Sequence, residues 1–493
     1  MIQQSHRAMT GIVARFTGLL CSGFLVAGPA AVAQERDWQT RVSELERSIP
    51  ALMDSGDVTG LAIALVADGE VVWSRGFGTR NAATGEPVDE HTVFEAASLS
   101  KPVFARAVLQ MVERGEVNLD KPLWEYLPYE DIAHDERYKR ITARMVLSHT
   151  PGFPNWRPHG GKLTIDFEPG TKFSYSGEGF VYLQRVVEHL TGEPMDQFVA
   201  RTVLQPLGMT RSSFIWEARF ESNVAMPYRS DGSAGHKSKP RRANAAASLH
   251  TTAPDFARFM AAVVNGEGLG EQMIQAMLTP ESEVDSGVTW GLGWGLQDTE
   301  DGRAFWHWGH NTGYRAYTVT YPERRLGVVM FTNSDNGMSI VQAILSRAVG
   351  GSHPGFAWLD YEAHDAPTRL VRKALERTIR GQGIAAGIDR YYQLKQESPA
   401  DAFEESMLNT LGYSLLRTRL VEEAIAVFKL NVRMYPDAFN TYDSLGEAYM
   451  VHGDTLLAIE NYEKSVKLNP ENTNGIRMLE RLRQEPEENK ERP

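Results

Sequence analysis

Residues 95–104 read EAASLSKPVF, with Ser98 three places before Lys101 and Pro102 directly after. At a helix start, positions i and i+3 share a face, so the lysine amine reaches the serine hydroxyl. A serine hydroxyl is a poor nucleophile until a base takes its proton, and a lysine serves once its surroundings depress its pKa. The positive end of the helix also favours a developing alkoxide. A helix-capping serine followed by a solvated lysine spells the same letters, so the stretch alone leaves both readings open. Ser100, adjacent to Lys101 and off its face, is the poorer nucleophile of the two serines.

Two downstream stretches bear on the choice. Tyr175 lies in FEPGTKFSYSGEGFVYLQRVVEHL, on a Gly-Pro-rich approach to an amphipathic helix. A tyrosine set beside cations can ionise and relay a proton, although one packed at a helix start would look alike. His307 lies in FWHWGHNTGYRAYTVTYP, which runs into a β-strand; Gly309 there would let a substrate approach the backbone. A strand splays His307 and His310 to opposite faces, so no metal site is expected, and no cofactor. Trp156, Trp308 and Tyr314 are candidates to line a cleft, and core packing would explain them equally.

The chain of 493 residues is long enough for two or three domains, and its 42% apolar and 23% charged residues are ordinary for globular proteins. A formal net charge of −12 argues against a nucleic-acid binder, which needs a basic face. His6, Arg7 and Arg15 precede the apolar FTGLLCSGFLVAGPAAVA, which ends in Ala31-Val32-Ala33. That order predicts a secretory signal peptide over residues 1–33, cleaved after about Ala33, and a periplasmic or secreted protein with no stable membrane span. The single cysteine, Cys21, falls inside the segment, so the mature chain would have neither disulfides nor thiol chemistry.

Val42, Leu45, Ile49 and Leu52 follow a helical period, and GLAIALVADGEVVWSRGFG gives two β-rich runs around Asp68-Gly69, a hairpin signal. With AYTVTYP and RLGVVMFTN near the far end, residues 34–355 read as an α+β domain. From 366 to 482 the chain reads as helical and repeats itself. Leu411-Gly412 recurs at Leu445-Gly446, Ala424 at Ala458, Phe428 at Tyr462 and Pro436 at Pro470, each at 34 residues. That is the tetratricopeptide period and predicts an all-α solenoid, with a fainter copy at Gly387, Tyr391 and Pro399. The polar end, 483–493, reads as a disordered tail.

A serine-lysine helix start, a loop tyrosine and a late glycine-bearing strand, in that order, resemble the penicillin-recognising serine hydrolases, in their class C β-lactamase, D-aminopeptidase and esterase branch. ARMVLSHTPGFP, LQPLGMTRSSF, ASLHTTAPDFARFM and WGLGWGL extend the likeness over roughly residues 40–350. The resemblance implies a β-lactamase/transpeptidase-like fold. It implies Ser98 as the acylated nucleophile, Lys101 as its base and Tyr175 as a partner in proton transfer. His307-Trp308-Gly309 would stand at the K-T-G position, and the backbone N–H groups of Ser98 and His310 would form the oxyanion hole. Two positions depart from the pattern: Gly177 replaces the Asn of Y-x-N, and His307, a partly charged imidazole, replaces a lysine. Both changes point away from β-lactams and D-Ala-D-Ala peptides and leave ester or simple amide hydrolysis intact. The expected activity is therefore that of an exported esterase acting on a small ester, amide or lactam. D-peptidase or β-lactamase activity is the alternative. A rival reading makes the chain a partner-binding repeat protein, its solenoid taking a protein segment beside a spent hydrolase scaffold.

Overall fold

The computed structural model describes residues 29–488. Residues 1–28, most of the expected signal peptide, lie outside the described residues. The first described helix, Pro29–Gly56, crosses the expected cleavage point. Among the described residues, no helix is long and apolar enough to cross a membrane.

The strands are β1 (Gly60–Ala67), β2 (Glu70–Asn81), β3 (Glu86–Pro87), β4 (Phe94–Ala97), β5 (Leu249–Thr251), β6 (Ser282–Asp285), β7 (Val288–Trp290), β8 (Gly295–Thr299), β9 (Gly302–Asn311), β10 (Tyr314–Tyr321) and β11 (Leu326–Thr332). Nine of them form one antiparallel sheet in the order β3-β2-β1-β11-β10-β9-β8-β7-β6, and β4 pairs with β5 separately. The expected hairpin is there: Ala67 pairs with Glu70, and Asp68 and Gly69 both take positive φ (57° and 76°), as a two-residue turn between twisted strands requires. The two late apolar runs are β10 and β11, paired along their length.

The central strands are buried on both faces, which explains why β1 reads GLAIALVA without polar interruption. Leu61, Ile63 and Leu65 pack with Leu45 and Ile49 of the first helix and with Ile344 and Leu345 of the helix Val341–Ala348. Ala62, Ala64 and Val66 face the opposite core, with Val103 and Phe104 of the helix Ser100–Glu113 and Phe256 and Met260 of the helix Ala253–Asn265. Burying one such aliphatic side chain contributes about 1.5–3 kcal/mol, so this α+β sandwich holds itself together across both faces.

Beyond it the described residues are all-α. Helices Pro367–Gln382 and Ile384–Glu397, Glu405–Arg417 and Val421–Met434, and Phe439–His452 and Thr455–Leu468 follow one another, then Thr473–Glu488. The 34-residue offset has a contact behind it. A β-carbon on Gly412 would press on the Phe428 ring at 2.5 Å, and one on Gly446 on the Tyr462 ring at 3.2 Å. The last helix, Thr473–Glu488, runs into the stretch expected as a tail, whose residues 489–493 lie outside the described residues. Buried Leu479 and Leu482 anchor this helix on the array. The array is clipped to the first helix: Arg369 donates to the Gly56 carbonyl (2.8 Å), and Lys373 Nζ stands 2.6 Å from Asp57 Oδ2.

Candidate active site

Ser98 sits in the turn between β4 and the helix Ser100–Glu113. Ala97, just before it, has φ +49°, a left-handed conformation that costs a non-glycine residue about 1–2 kcal/mol and aims the next side chain out of the strand. The helix is not capped by a side chain; Leu99 holds the capping position. Ser98 is therefore free of the capping role. Ser100 is spent on structure: its hydroxyl donates to the Ala97 carbonyl (2.6 Å) and accepts the Leu249 N–H (2.9 Å), tying the turn to β5.

Lys101 is fully buried. Its Nζ lies 3.1 Å from Ser98 Oγ and donates to the Ala246 carbonyl at 2.9 Å. Burial without a carboxylate partner pulls its pKa down to about 7. Near neutrality a large share of these amines is thus unprotonated, with a lone pair beside the serine.

The Tyr175 ring lies 4.7 Å from Lys101 Nζ. Burial pushes its phenol above the usual tyrosine range, while nearby Ser98 acts in the opposite direction. Of the two readings left open for Tyr175, burial favours the one in which the phenol stays protonated. Its ring stacks on His149 at 4.2 Å. His149, with φ +56°, accepts the Ser176 N–H on Nδ1 (2.9 Å), so its own proton is on Nε2. Ser176 then caps the helix Gly177–Thr191 by accepting the Gly179 N–H (3.0 Å). His149 thus holds the tyrosine loop by a ring contact and a hydrogen bond. It sits in the quoted LSHTPGF, but nothing in the spelling assigns it this task.

His307 is wholly buried on β9, and its Nδ1 donates to the Trp308 carbonyl at 2.8 Å. Burial first, then the Lys101 charge, pull its pKa to about 3. The partly charged imidazole expected at this position is in fact neutral. Gly309 also has a different task from the expected one: a β-carbon there would lie 2.3 Å from the Ala96 carbonyl, so β4, not a substrate, makes the close approach. Tyr314 is corrected as a cleft residue; it is buried and its hydroxyl donates to the Ala225 carbonyl (2.5 Å). Trp156 is 46% exposed beside Gly177, and Trp308 is half-buried against the Tyr175 ring at 4.6 Å.

The β9–β10 hairpin closes at Asn311 and Tyr314, and alternation makes His310 and Arg315 a non-hydrogen-bonded pair. The His310 N–H consequently points to the outer edge of β9. β8 pairs with that edge only from Gly302 to Trp306, leaving the His310 end uncovered by β8. A buried network that no spacing reveals braces this end. Lys237 Nζ meets Glu95 Oε1 (2.7 Å) and His250 Nε2 (3.2 Å), while Asn311 donates to Glu95 Oε2 (2.9 Å).

The chain is 25% identical to Penicillin-binding protein 4 of Amycolatopsis lactamdurans over 354 residues, 64% of this chain and 89% of that one. It is 32% identical to Esterase EstB of Burkholderia gladioli over 197 residues, 34% of this chain and half of that one. In fold it is similar to the D-alanine carboxypeptidase AmpC of Burkholderia cenocepacia, with a TM-score of 0.55, 21% identity, and coverage of 62% of this chain and 99% of that one. The Beta-lactamase family profile matches residues 45–349, and the chain belongs to that family of serine hydrolases.

Proposed function

We propose that the protein is an exported esterase that works through an acyl-enzyme on Ser98. The observation that carries this reading is the buried Lys101 amine, with a pKa of about 7, at 3.1 Å from Ser98 Oγ. The free amine accepts the Ser98 proton as Oγ bonds to the ester carbonyl carbon, and the carbonyl π electrons move to oxygen. The N–H groups of Ser98 and His310 receive that oxyanion, a contribution of about 10²–10³ in rate. Collapse breaks the bond to the alcohol oxygen, which takes a proton from the Lys101 ammonium by way of the Tyr175 hydroxyl. Water then attacks the acyl-enzyme, gives its proton to the same amine, and the acid leaves as Ser98 recovers its hydrogen. Lys101 is the base in this scheme, because a phenol kept protonated by burial passes a proton on but does not start the reaction.

An ester is preferred to a D-peptide or β-lactam because the neutral His307 offers a substrate carboxylate no charge. The likeness to Esterase EstB supports the same preference. Export rests on the basic-apolar-small order of residues 1–33, and a partner-binding role for the helical array on its repeat period. The test is labelling by a fluorophosphonate probe, with turnover of p-nitrophenyl esters, a chromogenic cephalosporin and D-amino-acid anilides measured side by side. Labelling lost in Ser98→Ala with ester turnover is expected. Labelling that persists in Ser98→Ala, or turnover of the cephalosporin alone, overturns the reading.

A further inference from the structure

Four half-buried aromatic rings, Phe173, Tyr175, Trp308 and Trp358, form a contiguous run, and its Tyr175 end lies 4.7 Å from Lys101 Nζ. Trp308 lies tilted against Tyr175 with centroids 4.6 Å apart, Trp358 meets Trp308 edge-on at 5.8 Å, and Phe173 meets Trp358 edge-on at 6.1 Å. Deep in the fold, aromatic residues such as Trp290, Trp306 and Tyr317 are fully covered. A run of half-covered rings that starts at the catalytic tyrosine is instead a surface able to take an apolar group.

Trp358 stands outside the family match, which ends at residue 349. It ends the short helix Pro354–Trp358, in the strap that joins the hydrolase fold to the helical array. The strap is firmly seated. The Gly355 N–H donates to Gln297 Oε1 (3.1 Å), and a β-carbon on Gly355 would lie 2.3 Å from the Trp306 ring. Phe356 packs edge-on against Tyr317 at 5.2 Å, and the Tyr361 hydroxyl is 3.1 Å from His310 Nδ1. Trp358 is thereby placed by contacts to β8, β9 and β10, the strands that carry the oxyanion end of the site.

Three basic groups at the His310 end of β9 are paired or neutral. Arg315 pairs with Asp335 at 2.9 Å, Lys237 with Glu95 at 2.7 Å, and His307 is neutral. A ligand group lying along the rings meets aromatic faces and no unpaired cation from these residues.

We infer that Phe173, Trp308 and Trp358 form a leaving-group subsite that selects esters of uncharged aromatic or bulky apolar alcohols. The inference rests on the ester-hydrolase reading, in which the departing oxygen is protonated on the Tyr175 side and its substituent extends toward Trp308. Trp358 is the specificity-determining residue that the strap supplies.

The experiment compares methyl, benzyl and 4-carboxybenzyl butyrate with the full mature chain, alongside phosphonate labelling of Ser98. Methyl and benzyl alcohol differ little in acidity, so their ratio of kcat/KM reports the fit of the substituent. Trp358→Ala is expected to lower the benzyl-to-methyl ratio about tenfold, and Trp358→Phe to keep most of it. Wild-type protein is expected to turn over the benzyl ester in preference to the 4-carboxybenzyl ester, a comparison that needs no variant to fold. A ratio unmoved by Trp358→Ala, or equal turnover of the charged ester, overturns the subsite while labelled Ser98 keeps the esterase reading. No ester turnover and no labelling removes both.

Discussion

The indole of Trp156 occupies the space that a side chain at Gly177 would need. A β-carbon at 177 would stand 2.9 Å from two of its ring carbons and 2.7 Å from the Asn155 carbonyl oxygen. The Asn155 backbone and side-chain oxygens both accept the Gly177 N–H, which holds the two segments together. The missing amide of Y-x-N is therefore one half of a rebuilt wall whose other half is an aromatic ring. Gly177→Asn is expected to cost about 1–3 kcal/mol. Trp156→Ala in the same chain should return only part of that, because the Asn155 backbone cannot withdraw. Thermal melts of the single and double variants, read as a double-mutant cycle, check it; simple additivity would deny the contact.

Activity should rise with pH along a limb centred near 7 and then level off, since the reactive form of Lys101 is the free amine. His307 and His149 lie too low to produce that limb: His307 titrates at about 3, and burial takes His149 well below its usual value. Lys101→Ala should lower kcat/KM by about 10²–10⁴ and abolish the limb. A pH–rate profile of an uncharged ester checks both.

The same buried amine has a consequence for stability. In the unfolded chain Lys101 holds its proton up to about pH 10.4, whereas folded it loses it near 7. Between those values the unfolded state binds more protons, so this residue makes stability rise with pH across the window; below 7 its full cost is present. Lys101→Met removes the cost and forfeits the hydrogen bond to Ala246. The variant should be inactive yet about 3 kcal/mol more stable at pH 6, an advantage that shrinks as pH climbs toward 10. Urea denaturation at pH 6 and 9 measures it.

His149 separates positioning from chemistry. Its Nδ1 holds Ser176, and its ring supports Tyr175 at 4.2 Å. His149→Phe should retain the ring and lose the acceptor, lowering kcat about tenfold with little change in KM; His149→Ala should lose more. Steady-state kinetics on one ester, with the pH limb of Lys101 unmoved, would distinguish a shifted tyrosine from a lost base.

Much of the candidate site and its frame is legible in the chain because it is written locally. Ser98 and Lys101 are three residues apart, Asp68-Gly69 spells its own turn, and the repeat glycines meet aromatics at a fixed offset. What was not legible depends on partners far along the chain. Glu95 and Lys237 are 142 residues apart, and the Tyr314 hydroxyl donates to a carbonyl 89 residues away. The neutrality of His307 follows from burial against Trp290 and Trp294 and from the Lys101 charge rather than from its neighbours in sequence.

The strap makes the boundary of likeness differ from the boundary of folding. Recognisable family sequence stops at Val349, yet Gly355 closes over Trp306, Phe356 over Tyr317 and Trp358 over Trp308. A truncation ending at Val349 would uncover a strip of aromatic surface along β8–β10 and invite self-association. One ending after Tyr361 would keep Trp306 and Tyr317 covered, so the excisable hydrolase is longer than its ancestry suggests.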